Sequence, residues 1–265
     1  MKFLGLSRSL RQIFFALPWL LMLASGASNG AEPPSIAAAA DLRYALDEVV
    51  LAYQRVSGVA ARITYGSSGN FFSQLQQGAP FDIFMSADEA LVQKLAERSL
   101  TRDAGDLYGI GRIVLFVPEG TLITADKDFT DVRRALGDGR LSKFAIANPA
   151  HAPYGRAARE ALHAVGLWEL LSPHLVLGEN VAQAAQFART GAAQAGIIAL
   201  SLAVAPPFAR AGRYALIDAS QHQPLRQRMV LMRGAGDAAT QLYGYIKSPV
   251  ARAVLRRNGF TLPDQ

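Results

Sequence analysis

The chain has 265 residues, no cysteine, 18% charged and 51% hydrophobic residues, and a formal net charge of +6. Absence of cysteine excludes a disulfide framework, a lipid-modified cysteine and thiolate metal sites. No basic stripe interleaved with aromatics is present, which argues against nucleic acid as a partner.

The first segment reads as a targeting sequence rather than as fold. Lys2, Arg8 and Arg11 give a positive start, Ile13 to Ala24 is an almost unbroken apolar run, and Ser25 to Ala31 is small and weakly polar. That order is the pattern of a secretory signal peptide over residues 1–31, cleaved after Ala27 or Ala31, with a periplasmic product. The apolar run is too short for a permanent anchor, which needs roughly 20 residues. Three of the 27 Lys and Arg residues and none of the 21 acids lie in this segment, so the remainder carries a net +3.

From Ser35 onward short apolar runs alternate with amphipathic stretches, the pattern of an α/β protein with mixed, mainly parallel sheets. Strands are expected at 35–39, 61–65, 82–85, 111–117, 143–147, 175–177, 195–199, 214–217 and 228–232. Helices are expected at 42–56, 70–77, 89–97, 154–165, 181–189, 237–246 and 250–258. In the first of these Leu42, Ala45, Leu46, Val49, Val50 and Tyr53 fall on one helical face. Composition shifts at Pro118–Lys127 and Ser220–Pro224 divide the chain into a lobe of residues 32–117 and 221–265 and a lobe of 118–220, with a ligand cleft between them.

Four places where a strand runs into a helix carry the functional signal: Ala39-Ala40-Asp41-Leu42, Gly66-Ser67-Ser68-Gly69-Asn70, Ala152-Pro153-Tyr154-Gly155 and Gly178-Glu179-Asn180-Val181. A helix N-terminus has unpaired backbone N–H groups and about half a positive charge from the peptide dipoles. In parallel sheets such turns gather beyond the carboxyl ends of the strands, so four of them could hold a dianion with neutral donors alone. Each turn taken singly also reads as ordinary capping and turn chemistry.

The stretches AAAADLRYALDEVVLAYQRVSG, ITYGSSGNFFSQLQQGAPFDIFMSADEA, IANPAHAPYGRAAREAL, GENVAQAAQFARTGAAQAGIIALS and KSPVARAVLRRNGF occur in that order between Ile36 and Phe260. Together they resemble the periplasmic molybdate-binding proteins of ABC transporters. The resemblance implies a two-lobed type II periplasmic binding protein that captures molybdate or tungstate and hands it to the membrane subunits of an ABC permease. It implies no enzymatic activity and no cofactor, and a monomer is expected.

The resemblance also implies a ligand set. It maps a Ser or Asn of the family onto Asp41 and a Ser or Thr onto Ser68, with backbone amides from Tyr154 and Val181. One branch of the family adds a tyrosine hydroxyl where this chain has Ala199, and a second branch carries a tyrosine in the third turn, as Tyr154 does here. Asp41 is the departure, because an ionised carboxylate repels a dianion and has no proton to donate. The expected resolution turns this carboxylate back to cap the helix that starts at Leu42, near Tyr44, leaving the Asp41 amide for the ligand. A carboxylate pointing into the site instead would favour another oxyanion or a small organic acid bearing a hydroxyl.

Other candidates read as structural. His151, His163, His174 and His222 show no metal-ligand spacing, so no cation site is expected. Asp82 and Asp88 suit capping or turn roles. Phe71, Phe72, Phe81 and Phe84 suit core packing. Ser67 or Ser68 as the nucleophile of an exported hydrolase would need a positioned base, which no sequence context supplies.

Overall fold

The structure is a computed structural model that describes residues 32–263. The signal segment read at residues 1–31 lies outside the described residues. Two five-stranded sheets form the frame.

The first sheet begins with β1 (Ser35–Ala39), whose five residues are all buried, since helices cover both of its faces. A 3-10 turn at Ala40–Leu42 leads into α1 (Arg43–Ser57), which buries Ala45, Leu46, Val49, Val50 and Tyr53 and ends on Gly58 at φ +73°. Next come β2 (Arg62–Gly66), α2 (Ser68–Gln76), β3 (Ile83–Ser86), α3 (Glu89–Glu97) and β4 (Asp106–Gly111). The chain then enters the second sheet with β5 (Ile113–Pro118), α4 (Thr130–Gly137), β6 (Phe144–Ala147), α5 (Pro153–Ala164), the short α6 (Trp168–Leu171), β7 (Leu175–Gly178) and α7 (Val181–Arg189). After β8 (Ala195–Ala199), the short α8 (Leu200–Ala203) and α9 (Pro206–Ala209), and β9 (Gly212–Leu216), it returns to the first sheet as β10 (Leu225–Leu231) and closes with α10 (Asp237–Ile246) and α11 (Pro249–Arg257).

Strand order is β2-β1-β3-β10-β4 in the first sheet and β7-β6-β8-β5-β9 in the second. In each, three neighbouring strands run parallel and one strand, β10 or β5, pairs antiparallel on both sides; β10 returns to the first sheet from beyond the second, whereas β5 is the strand with which the chain enters the second. The β1, β2, β6 and β7 ends therefore deliver their following turns to the same side of their own sheet. Apolar cores surround both sheets, and Ala39, Ala40 and Ala87 from the first sheet pack into the core of the second.

The expected strand at 111–117 is two strands. Gly111 ends β4 in the first sheet and Ile113 begins β5 in the second, so the chain crosses at Arg112. The composition break at Pro118 marks the end of β5 rather than the crossing, because β5 is apolar throughout and fully buried between β8 and β9. The return crossing falls between Leu216 and Leu225, around the break read at Ser220–Pro224. Sequence periodicity missed β4, whose two glycines read as loop, and α4, which lacks an adjacent cap. Asp126 serves α4 from a distance, accepting from the amides of Thr130 and Asp131.

Candidate functional site

All four turns meet. One small cavity is lined by Ala39, Ala40 and Asp41 from the first turn, Gly66, Ser67 and Ser68 from the second, Ala152, Pro153 and Tyr154 from the third, and Asn180 and Val181 from the fourth, with Ala87 beside them. Asp41 is the only ionisable acid or base in that lining apart from the phenol of Tyr154.

The second turn supplies donors through local chemistry. Ser67, extended at φ −76° and ψ 135°, precedes α2 without capping it. Its hydroxyl instead donates to the carbonyl of His151 at 2.6 Å, and the Gly69 amide donates to the same oxygen at 3.1 Å. These two bonds join the second turn to the third. Ser68 is buried, and its Oγ accepts the amide of Ala87 at 2.9 Å. An accepting hydroxyl keeps its own proton, and among the described residues that proton has no acceptor.

In the third turn Pro153 contributes no N–H, and the amides of Gly155 and Arg156 both bond the Ala152 carbonyl. The Tyr154 amide is left without a protein acceptor. In the fourth, the Asn180 side chain accepts from Ala182 and Gln183 at 3.0 and 3.1 Å, and Ala184 bonds the Asn180 carbonyl. That capping passes over the first helical residue, so the Val181 amide is also unpaired. Ser68, Tyr154 and Val181 thus bring neutral donors to the lining of one cavity, from two helix N-termini and one serine, an arrangement chemically able to hold an anion.

Asp41 departs from the expected cap. Its side chain bonds no helix amide. Oδ2 accepts from Gln227 Nε2 at 2.7 Å and from Tyr154 Oη at 2.9 Å, while Oδ1 is buried with no partner. The reason is positional: the 3-10 turn at Ala40–Leu42 comes before α1, so Asp41 lies inside a tight turn instead of at the extended residue that a capping side chain requires. Burial pushes this carboxyl up to about 6, while the bonds from Gln227 and Tyr154 and its own amide hold it down. The phenols of Tyr154 and Tyr108 are driven well above their ordinary range, by burial first and the nearby carboxylate second.

The cluster spans both sheets. Tyr154 on α5 and Ser201 on α8 come from the second, with Ser201 donating to the Asp41 carbonyl at 2.8 Å. Asp41 and Gln227 come from the first, and Tyr108 on β4 donates to Gln227 Oε1 at 2.6 Å. A Cβ on Gly111 would overlap Tyr154 Oη and come within 2.6 Å of Gln227 Nε2, so this glycine makes room for the cluster.

The profile of the bacterial extracellular solute-binding proteins matches residues 34–261. A molybdate-binding protein ModA of Rhodobacter capsulatus is 33% identical over 227 residues, covering 84% of this chain and 86% of the relative. This chain belongs to the ModA family of solute-binding proteins. The ModA of Azotobacter vinelandii is 32% identical, with 86% of this chain and 89% of the relative covered. The structure of the Azotobacter vinelandii periplasmic molybdate-binding protein superposes with a TM-score of 0.79 at 27% identity, covering 87% of this chain and all of that one. The fold is therefore the two-lobed type II periplasmic binding fold with the cleft between its sheets.

Three members of the cluster, Ser201, Gln227 and Tyr108, are not singled out by the sequence. Gln227 carried a readable signal, since Leu225, Gln227, Met229 and Leu231 share one face of β10 and Gln227 is the polar residue at a buried position of that alternation. The other acids and aromatics take structural places. Asp88 caps α3 through the Ala90 amide, Asp82 ties down the Ser35 amide and hydroxyl, and Phe71 and Phe84 are buried with Phe72 and Phe81 packed against them.

Proposed function

We propose that this protein is the molybdate receptor of an ABC importer, closing its two lobes on the oxyanion and releasing it to the permease. The observation that carries the reading is the convergence of unpaired Ser68 hydroxyl, Tyr154 amide and Val181 amide on one small cavity. The ModA relatives support molybdate as the ion. Tungstate, of the same shape and charge, binds the same donors.

Residues 1–31 act as a signal peptide and the mature chain works as a periplasmic monomer. Each sheet forms the core of one lobe, with crossings at Arg112 and at 217–224 serving as the hinge, and closure joins the second turn to the third. Asp41, Ser68, Tyr154 and Val181 form the ligand wall. Ser68, Tyr154 and Val181 offer donors, and provided that the Asp41 carboxyl offers no acceptor they favour a fully deprotonated dianion over hydrogen phosphate, whose proton would lack a partner.

Catalysis plays no part in this reading. The imidazole nearest the cavity, His151, meets Ser67 rather than Ser68, at 3.1 Å, and the Ser67 proton is committed to the His151 carbonyl. Neither serine is an activated nucleophile. Equilibrium dialysis of the purified mature chain against molybdate tests the proposal: one oxyanion retained per chain supports it, and none retained sinks it.

A further inference from the structure

Among the residues that line the cavity, Asp41 is the one that carries a carboxylate. A donor-lined anion site gains nothing from a negative charge, so Asp41 calls for a chemical account. Its two oxygens differ. Oδ2 is saturated by Tyr154 and Gln227, whereas Oδ1 is buried with no hydrogen-bond partner from another residue. An ionised carboxylate in that setting leaves one buried oxygen unsatisfied and repels the ligand at short range. A proton on Oδ1 removes the repulsion and makes that oxygen a hydrogen-bond donor, which a bound anion then satisfies.

Building on the oxyanion reading above, we propose that Asp41 is a specificity-determining ligand residue that binds the anion as a carboxylic acid. One proton is then taken up for each dianion bound, shared between Asp41 Oδ1 and an oxygen of the ligand. The Tyr154 and Gln227 bonds fix which oxygen carries it, because both donors already occupy Oδ2.

Neighbouring groups leave Asp41 as the carrier. On α5, Tyr154 is a neutral phenol and Arg156 pairs with Asp88. On β10, Gln227 is uncharged, and the flanking Arg226 and Arg228 both pair with Glu89. On β4, Tyr108 is a neutral phenol bonded to Gln227, and on α8 Ser201 donates to the Asp41 carbonyl. Arg43, beside the first turn, lies over the Tyr65 ring at 5.1 Å. At the third and fourth turns His151 and Glu179 approach each other at 3.6 Å, so His151 is the other group whose charge bears on the cleft. Burial already holds the Asp41 carboxyl at about 6 before any anion arrives, and a dianion beside it raises it further.

The test is the affinity of the mature chain for molybdate from pH 6 to 8.5, with calorimetry in buffers of different ionisation enthalpy to count protons. Linkage requires affinity to fall by about tenfold per pH unit above the carboxyl's own pKa, with uptake of one proton per anion. In Asp41→Asn the amide oxygen accepts from Tyr154 and Gln227 while the amide N–H takes the place of the acid proton, so affinity becomes independent of pH to within about twofold. His151→Gln keeps the slope. Native affinity that stays flat over this range with no proton uptake overturns the inference and leaves the oxyanion reading standing. A slope that survives Asp41→Asn, or vanishes in His151→Gln, overturns it equally. Absence of molybdate binding at every pH overturns the oxyanion reading and this inference together. Should Asp41→Asn fail to fold, the proton count on the native chain decides alone.

Discussion

Ser68 receives the Ala87 amide and keeps its own proton, so in the ligand account it is a donor to a buried anion rather than a cap. Ser68→Ala should weaken molybdate binding by roughly 1.5–3 kcal/mol, the range for a hydrogen bond to a charged group. Unchanged affinity in calorimetry would reduce Ser68 to a structural residue. Asp41 makes a separate prediction about stability. Its folded carboxyl, at about 6, lies above the ordinary value of 3.8, so its contribution is full below about pH 4 and is lost as pH rises through about 6. Urea unfolding of the anion-free chain should show the native protein losing roughly 3 kcal/mol relative to Asp41→Asn across that window. Equal pH slopes in the two proteins would contradict the buried, raised carboxyl. At this scale the residue types of the site were legible, because serine, asparagine and proline beside a helix start are local signals. The partners of Asp41 were not: Tyr154 lies 113 residues away and Gln227 lies 186 away, and only the meeting of the two sheets brings them together.

At the scale of elements, the site depends on strand ends that deliver four turns to one place, and on how closely those turns approach. The Gly69 amide bonds the His151 carbonyl at 3.1 Å, and a Cβ at Gly69 would overlap that same oxygen. Gly69→Ala should therefore hold the second and third turns apart and weaken molybdate binding by about tenfold or more. Affinity equal to that of the native chain would show that this approach is unnecessary. Helices were read well where apolar periodicity was strong, as in α1, α5 and α7, of which α7 alone has a side-chain cap. Reading failed at β4 and β5, since a glycine-ended strand followed by an apolar one looks continuous although Arg112 separates two sheets.

At the scale of the whole fold, the two sheets share one strand order, and β10 returns to the first from beyond the second, so the chain crosses between them twice. The closure proposed above turns on those two crossings, with the strands of each half staying paired and the unpaired donors brought together between them. The account stands on the claim that these donors are matched to a large, fully deprotonated oxyanion. Titration calorimetry of the mature chain at pH 6 with molybdate, tungstate, sulfate and phosphate measures that claim directly. The account predicts one molybdate or tungstate bound per chain, at least about 100-fold more tightly than sulfate or phosphate, a difference of about 2.7 kcal/mol. Sulfate or phosphate bound as tightly as molybdate would contradict it.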